Sequence, residues 1–294
     1  MTTIARAAAA GALALAASVA TTAQTPAVTR TIYATVTQSD GTPVLDMRAD
    51  EFEVKEGGRV QEASAHAATN PLRVALIVSD RGGGQFQVGA LRFCEALLGQ
   101  GEIGVTSLVV QPERLTDYTS SPDALRGAIL RLGRRSAAPD AGTQLIDAIH
   151  EAAKTVRREG SRAAIVIMRA GGEDSTPIAA STVLDAIRAS GAAMYVVSPA
   201  AADRGSRFVM GGGGGESVTV VPTVLGVGVG ESGGRQIDVA VNTMTPAMQQ
   251  VASELLNQYE ITYTLPAGAK PSDRVSVASK RKGVTVRAPT RIAR

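Results

Sequence analysis

The stretch "VALIVSDRGGGQFQ", residues 74–87, invites a chemical reading. Five apolar residues end abruptly at Ser79, Asp80 and Arg81; three glycines follow, and then an apolar-periodic segment begins. A buried strand opening into a small polar loop is where an α/β protein usually keeps its site. The loop offers a hydroxyl, a carboxylate and a guanidinium, which suits binding better than bond making. The rest of the chain supplies no catalytic set. There is no Gly-x-Ser-x-Gly elbow, no phosphate-cradling loop and no spaced group of metal ligands. The run "GGGGG" at 211–215 lacks the Lys-Ser/Thr that a phosphate loop needs. His66 and His150 stand far apart with no partner at a useful spacing, so both are expected to be structural or surface residues. Asp147 and Glu151 fit a solvated helix face. Cys94 shares an apolar helical face with Leu91, Leu97 and Leu98, so a buried thiol is expected, and a single cysteine forms no internal disulfide. We expect no enzyme.

The elements that must position the loop follow from periodicity. Residues 28–70 alternate apolar and polar and are broken at Asp40-Gly41 and Gly57-Gly58, both hairpin-type turns, which gives a small N-terminal β region. From Pro71 the pattern becomes strand, helix, strand, helix. Continuous apolar runs at 73–78, 103–110, 163–168 and 193–198 read as parallel strands buried on both faces. Amphipathic segments at 85–98, 122–132, 143–158 and 180–189 read as the helices between them. "RLTDYT" reads as an added edge strand, "RQIDVAV" as a strand and "TPAMQQVASELLNQ" as a helix. The fold class predicted is α/β, a doubly wound, mostly parallel open sheet over 71–258. The segment 205–234 is Gly-dense without a helical period and reads as a flexible insertion. Strands in 259–294 are expected to pack with the N-terminal region as one β unit, since neither piece has strands enough to cover its own apolar face.

Bulk properties narrow the setting. The chain has 294 residues, 44% of them apolar and 19% charged, which is ample for a packed core. Aromatic residues are only 3% and Trp is absent, which speaks against the stacking platforms of single-strand nucleic-acid binders. Arg6 followed by "AAAAGALALAASVATTA" has the layout of a secretory signal over 1–23, placing the mature chain in the periplasm or outside the cell. No other segment is long and apolar enough for a span. Lys270 to Arg294 holds eight basic residues against Asp273 alone. These charges protect edge strands, and they also allow a weak contact with an anionic envelope surface.

The segments "AGTQLIDAIHEAAKTV", "SRAAIVIMRAGGEDST" and "LDAIRASGAAMYVVSPA" resemble, in that order, the middle helix start, fourth strand and following helix–strand of von Willebrand factor A (VWA) domains. With "VQEASAHA" before and "ELLNQYEITYTLPAG" after, the chain resembles the VWFA-related family common in acidobacterial genomes. That resemblance implies an exported protein-binding or adhesion module. It also implies a divalent-cation site built on Asp-x-Ser-x-Ser, a Thr and a later Asp. Here those places fall on Ser79, Arg81 and Gly83, on Thr143, and on Ala170 beside Arg169. Mg²⁺ needs hard oxygen ligands, and a fixed guanidinium repels it, so no metal or other cofactor is expected. Thr143 then becomes an N-cap for the following helix. The alternative is a shifted Mg²⁺ site using Asp80, Thr143 and Glu173 or Asp174. Loops leaving the C-terminal strand ends converge, so Ser79, Asp80, Arg81, Thr143, Arg169, Glu173 and Asp174 are the candidate partner-binding residues.

Overall fold

A computed structural model describes residues 27–134, 142–200 and 217–292, with side chains of 217–219 excepted. The expected leader at 1–23 and the first part of the Gly-dense segment, 205–216, lie outside the described residues. The N-terminal region forms β1 (Val28–Gln38), β2 (Phe52–Glu56), β3 (Arg59–Gln61) and β4 (Ala63–Ala67). Gly57 and Gly58, both at positive φ, turn β2 into β3 as the sequence predicts.

The α/β domain then alternates. In chain order it comprises β5 (Leu72–Ser79), α1 (Gln87–Ala96), β6 (Gly101–Leu108), β7 (Pro112–Thr119), α2 (Pro122–Ile129) and α3 (Leu145–Val156). It continues through β8 (Arg162–Arg169), α4 (Ala180–Ser190), β9 (Ala193–Pro199), α5 (Ser217–Ser232), β10 (Arg235–Val239) and α6 (Met244–Leu256). The sheet order is β10-β9-β8-β5-β6-β7, parallel throughout except for the antiparallel edge strand β7. The near-continuous apolar run of β5 is explained by its two neighbours. Leu72, Val74, Leu76 and Val78 face the core under α1, α2 and α6, while Ala75 and Ile77 face α3, α4 and α5. Side chains alternate across a strand, so only a sheet covered on both sides tolerates such a run. Burying each of these larger aliphatic side chains contributes about 1.5–3 kcal/mol, far more than local propensity, so burial fixes the sheet.

The chain closes with β11 (Gln258–Leu265), β12 (Val275–Ser279) and β13 (Val284–Arg287). These complete two further sheets, β13-β1-β11-β4 and β12-β2-β3. β1 runs antiparallel to β11 from Val28↔Leu265 to Thr35↔Gln258. Ile32, Val36, Phe52, Val54, Ile261 and Tyr263 share the core between the sheets. The buried Tyr259 hydroxyl donates to the Val44 carbonyl at 2.9 Å and accepts from the Met47 amide at 3.0 Å, which pins the 44–47 loop onto that core. At the seam with the α/β domain, buried Arg162 donates to the Asn70 and Leu255 carbonyls at 2.8 and 2.6 Å.

Two expectations are corrected. The Gly-dense segment is not wholly irregular, because Ser217–Ser232 is helical despite Pro222. Buried Val221, Val224, Leu225 and Val229 hold it against α4 and β9, and Gly228 lets Met194, Ile187 and Leu184 approach. Thr143 is not the N-cap of the third helix; that position is Gln144, which makes no side-chain cap bond. Several cations of the basic tail are held within the chain, Arg281 by Asp46 and Glu51, Arg287 by Glu254, and Arg291 by Asp273. Lys270, Arg274, Lys280 and Lys282 of the same tail are exposed.

Candidate functional site

The loops at the C-terminal edge of the six-stranded sheet form a crown. Ser79 ends β5 opposite Arg169, the last residue of β8, and the Ser79 carbonyl accepts from the Ala170 amide at 2.8 Å. The next residue, Asp80, is 2% exposed. Its Oδ1 accepts from the Gly82 amide at 2.9 Å and its Oδ2 from the Gly84 amide at 2.8 Å. Asp80 therefore ties the loop to itself. Gly84 in turn packs against Gly133, where an added Cβ would lie 2.7 Å from the Gly84 α carbon.

Arg81 stands at φ 57, the one non-glycine residue among those described with a left-handed backbone. Its Nη1 lies 2.7 Å from the place a Cβ on Gly172 would take. Arg169 Nη2 donates to the Gly172 carbonyl at 3.4 Å. Two guanidinium groups from different strand ends thus converge on one glycine of the loop after β8. Arg169 is 5% exposed, whereas Arg81 is half-buried.

A second cluster joins Thr143 to the same loop. The Thr143 amide and hydroxyl both donate to the Glu173 carbonyl, at 2.8 and 3.2 Å, and its carbonyl accepts from the Ser175 amide at 2.8 Å. This is a one-residue parallel bridge between Thr143 and Asp174. It aims the Asp174 carboxylate at the start of α3. Oδ2 accepts from the Leu145 and Ile146 amides at 2.6 and 3.2 Å, and Oδ1 from the Thr176 amide at 2.9 Å. The helix is thus capped from 29 residues away, satisfying donors a helix start leaves open. The structure brings Ser79 together with Arg169, Arg81 and Arg169 with Gly172, and Thr143 with Glu173 and Asp174. Ser79, Asp80, Thr143 and Arg169 are buried and support the crown from beneath. Glu173 is exposed, and Arg81 and Asp174 are partly so.

Sequence reasoning missed Gly172, whose φ of 115 and closeness to Arg81 make it the point where the loops meet. The signal available was the "GG" before Glu173. It also missed Thr176, a buried residue of this loop whose hydroxyl has no hydrogen-bond partner. Elsewhere, exposed His66 bonds its own neighbour's carbonyl, and burial pushes the Cys94 thiol up to about 12. No group of three or more His, Cys, Asp or Glu among the described residues is placed to hold a metal ion.

The strand order, with helices on both faces and a single antiparallel edge strand, matches the expectation drawn from the motifs. The α/β domain has the von Willebrand factor A fold. No protein-family model and no curated protein matches the chain. Among solved structures it is similar to the vWF domain of the type V pili tip protein Mfa5 from Porphyromonas gingivalis, at 11% identity and a TM-score of 0.47, over 64% of this chain and 96% of that one. A von Willebrand factor type A protein from Catenulispora acidiphila is similar at 11% identity and a TM-score of 0.43, over 90% and 72%. An aerotolerance-related membrane protein from Bacteroides fragilis, carrying multiple mutations to serine, is similar at 15% identity and a TM-score of 0.45, over 63% and 98%. At such identities the likeness to other VWA structures concerns the fold alone.

Proposed function

We propose that this chain is an exported, non-enzymatic binding module of the cell envelope, of the adhesion type, whose crown engages a protein partner without a divalent cation. The observation that carries the reading is Arg81. A left-handed backbone costs a non-glycine residue about 1–2 kcal/mol, and such strain gathers where function requires a fixed geometry. Here it holds a guanidinium at the rim of the crown, at a position where the VWA resemblance would put an oxygen ligand. A guanidinium repels Mg²⁺ and donates two parallel hydrogen bonds to a carboxylate. The shifted metal site is disfavoured by its own donors. Both oxygens of Asp80 and both of Asp174 already accept backbone amides, and this set does not fit an octahedral Mg²⁺ shell. Envelope location rests on the leader-like N-terminus; among the described residues no helix is long and apolar enough to cross a membrane.

Two measurements test this. Calorimetric titration with Mg²⁺, Mn²⁺ and Ca²⁺ should give no heat of specific binding, and the melting temperature should not move. A cation present at a hundred times its Kd would add about 2.7 kcal/mol of stability. Cation binding that vanishes in Asp80→Ala would overturn the metal-free reading. In a pull-down from the native envelope, Arg81→Gly should lose the partner that the wild-type chain captures. Undiminished capture would remove the crown from the reading.

A further inference from the structure

A second concentration of charge lies at the other end of the molecule, in the seam between the α/β domain and the β unit. Glu254 on α6 has a side chain 0% exposed. Its Oε1 accepts from Arg235 Nη2 at 2.6 Å and its Oε2 from Arg287 Nη2 at 2.7 Å. Arg235 belongs to β10 of the α/β domain and Arg287 to β13 of the β unit. Beside them lie the buried hydroxyls of Tyr195 on β9 and Thr35 on β1, with Thr35 near enough to act on the Tyr195 phenol. Burial pushes the Tyr195 phenol up to about 12, and the Glu254 charge acts in the same direction.

The seam has a second fastening. After β13 the chain passes so close over Gly233 that an added Cβ there would lie 2.5 Å from the Ala288 carbonyl carbon. The Thr290 amide donates to the Glu231 carbonyl at 2.9 Å, and Arg291 reaches Asp273 at 2.6 Å and Glu231 at 3.6 Å. Glu231 lies in the last turn of α5 and is also held by Arg188 of α4 at 2.7 Å.

Apolar contact alone would let two units slide over one another at little cost. A carboxylate buried between two guanidiniums tolerates one position, because removing either partner leaves a charge uncompensated away from water. We propose that the Arg235–Glu254–Arg287 triad is a lock that holds the β unit on the α/β domain in one register, so that the two units open together and not in turn.

Amide hydrogen exchange on the full chain tests the lock. In the wild type the most protected amides of β1 and β11 should exchange through the same opening as those of β5 and β8. In Glu254→Gln, which keeps the shape and removes the charge, exchange in β1, β11 and β13 should rise by about a hundredfold, the scale of losing a buried charge partner. Exchange in β5 and β8 should rise by the same factor, because losing the triad destabilises the one state from which both units open. If Glu254→Gln does not fold, Arg287→Gln carries the test, since Glu254 then keeps Arg235. Separate openings in the wild type, or acceleration of one unit alone in the variant, would overturn the proposal.

Discussion

Arg81 holds a backbone conformation that glycine adopts freely, and this separates stability from binding at a single position. We predict that Arg81→Gly melts at the wild-type temperature or above it, with a gain of up to about 1 kcal/mol, while losing partner capture. Arg169 should behave in the opposite way. It is buried beneath the same loop, and Arg169→Ala removes the donor to the Gly172 carbonyl. A loss of about 1–3 kcal/mol is expected, measurable by chemical denaturation. Equal effects of the two substitutions would contradict this division of labour. The identity of both arginines could be read from the sequence, but their different exposure could not. It depends on how residues 170–176 fold back over the strand end, which no local pattern encodes.

At the scale of elements, the buried strands were legible because each is covered on both faces, so its apolar run is uninterrupted. The run 163–168 lies within β8, and 193–198 lies within β9. Within the structure, the Ser121 hydroxyl caps α2 by accepting from Ala124 three residues on, and α4 stops at Gly191, φ 65. Two features were hidden. The helix α5 is apolar on all sides and carries Pro222 with Gly226, Gly228 and Gly230, so it has no amphipathic contrast to detect. The cap of α3 comes from Asp174 in another loop, whereas capping rules look only within four residues. Asp174→Ala should destabilise the protein by about 1–2 kcal/mol by exposing the start of α3, with slowed amide exchange at Leu145 and Ile146 lost first. No change in stability would show that Gln144 or solvent serves the helix equally well.

For the molecule as a whole, the ion pairs of the basic tail set its response to acid. Hydrogen bonds from Arg281 and from the Arg48 amide hold the Glu51 carboxyl at about 2, below its usual value of 4.5. A depressed carboxyl contributes stability above its unfolded value and loses it as pH falls through the folded one. Glu51→Gln should therefore melt below the wild type at pH 7, and the gap should close between about pH 4.5 and 2. A gap that persists at the acid end would mean that Glu51 acts by shape and not by charge.

The pairing of β1 with β11 also sets a schedule. Thr29 and Thr264 meet side by side although 235 residues separate them. A ribosome adding about 5–20 residues per second delivers the second strand roughly 10 to 50 seconds after the first. Throughout that interval the opening strand, rich in Val, Ile and Thr, waits with both edges unpaired. The earliest segment of the fold to emerge is thus among the last to find its neighbour, and until then its open edges invite pairing with other chains.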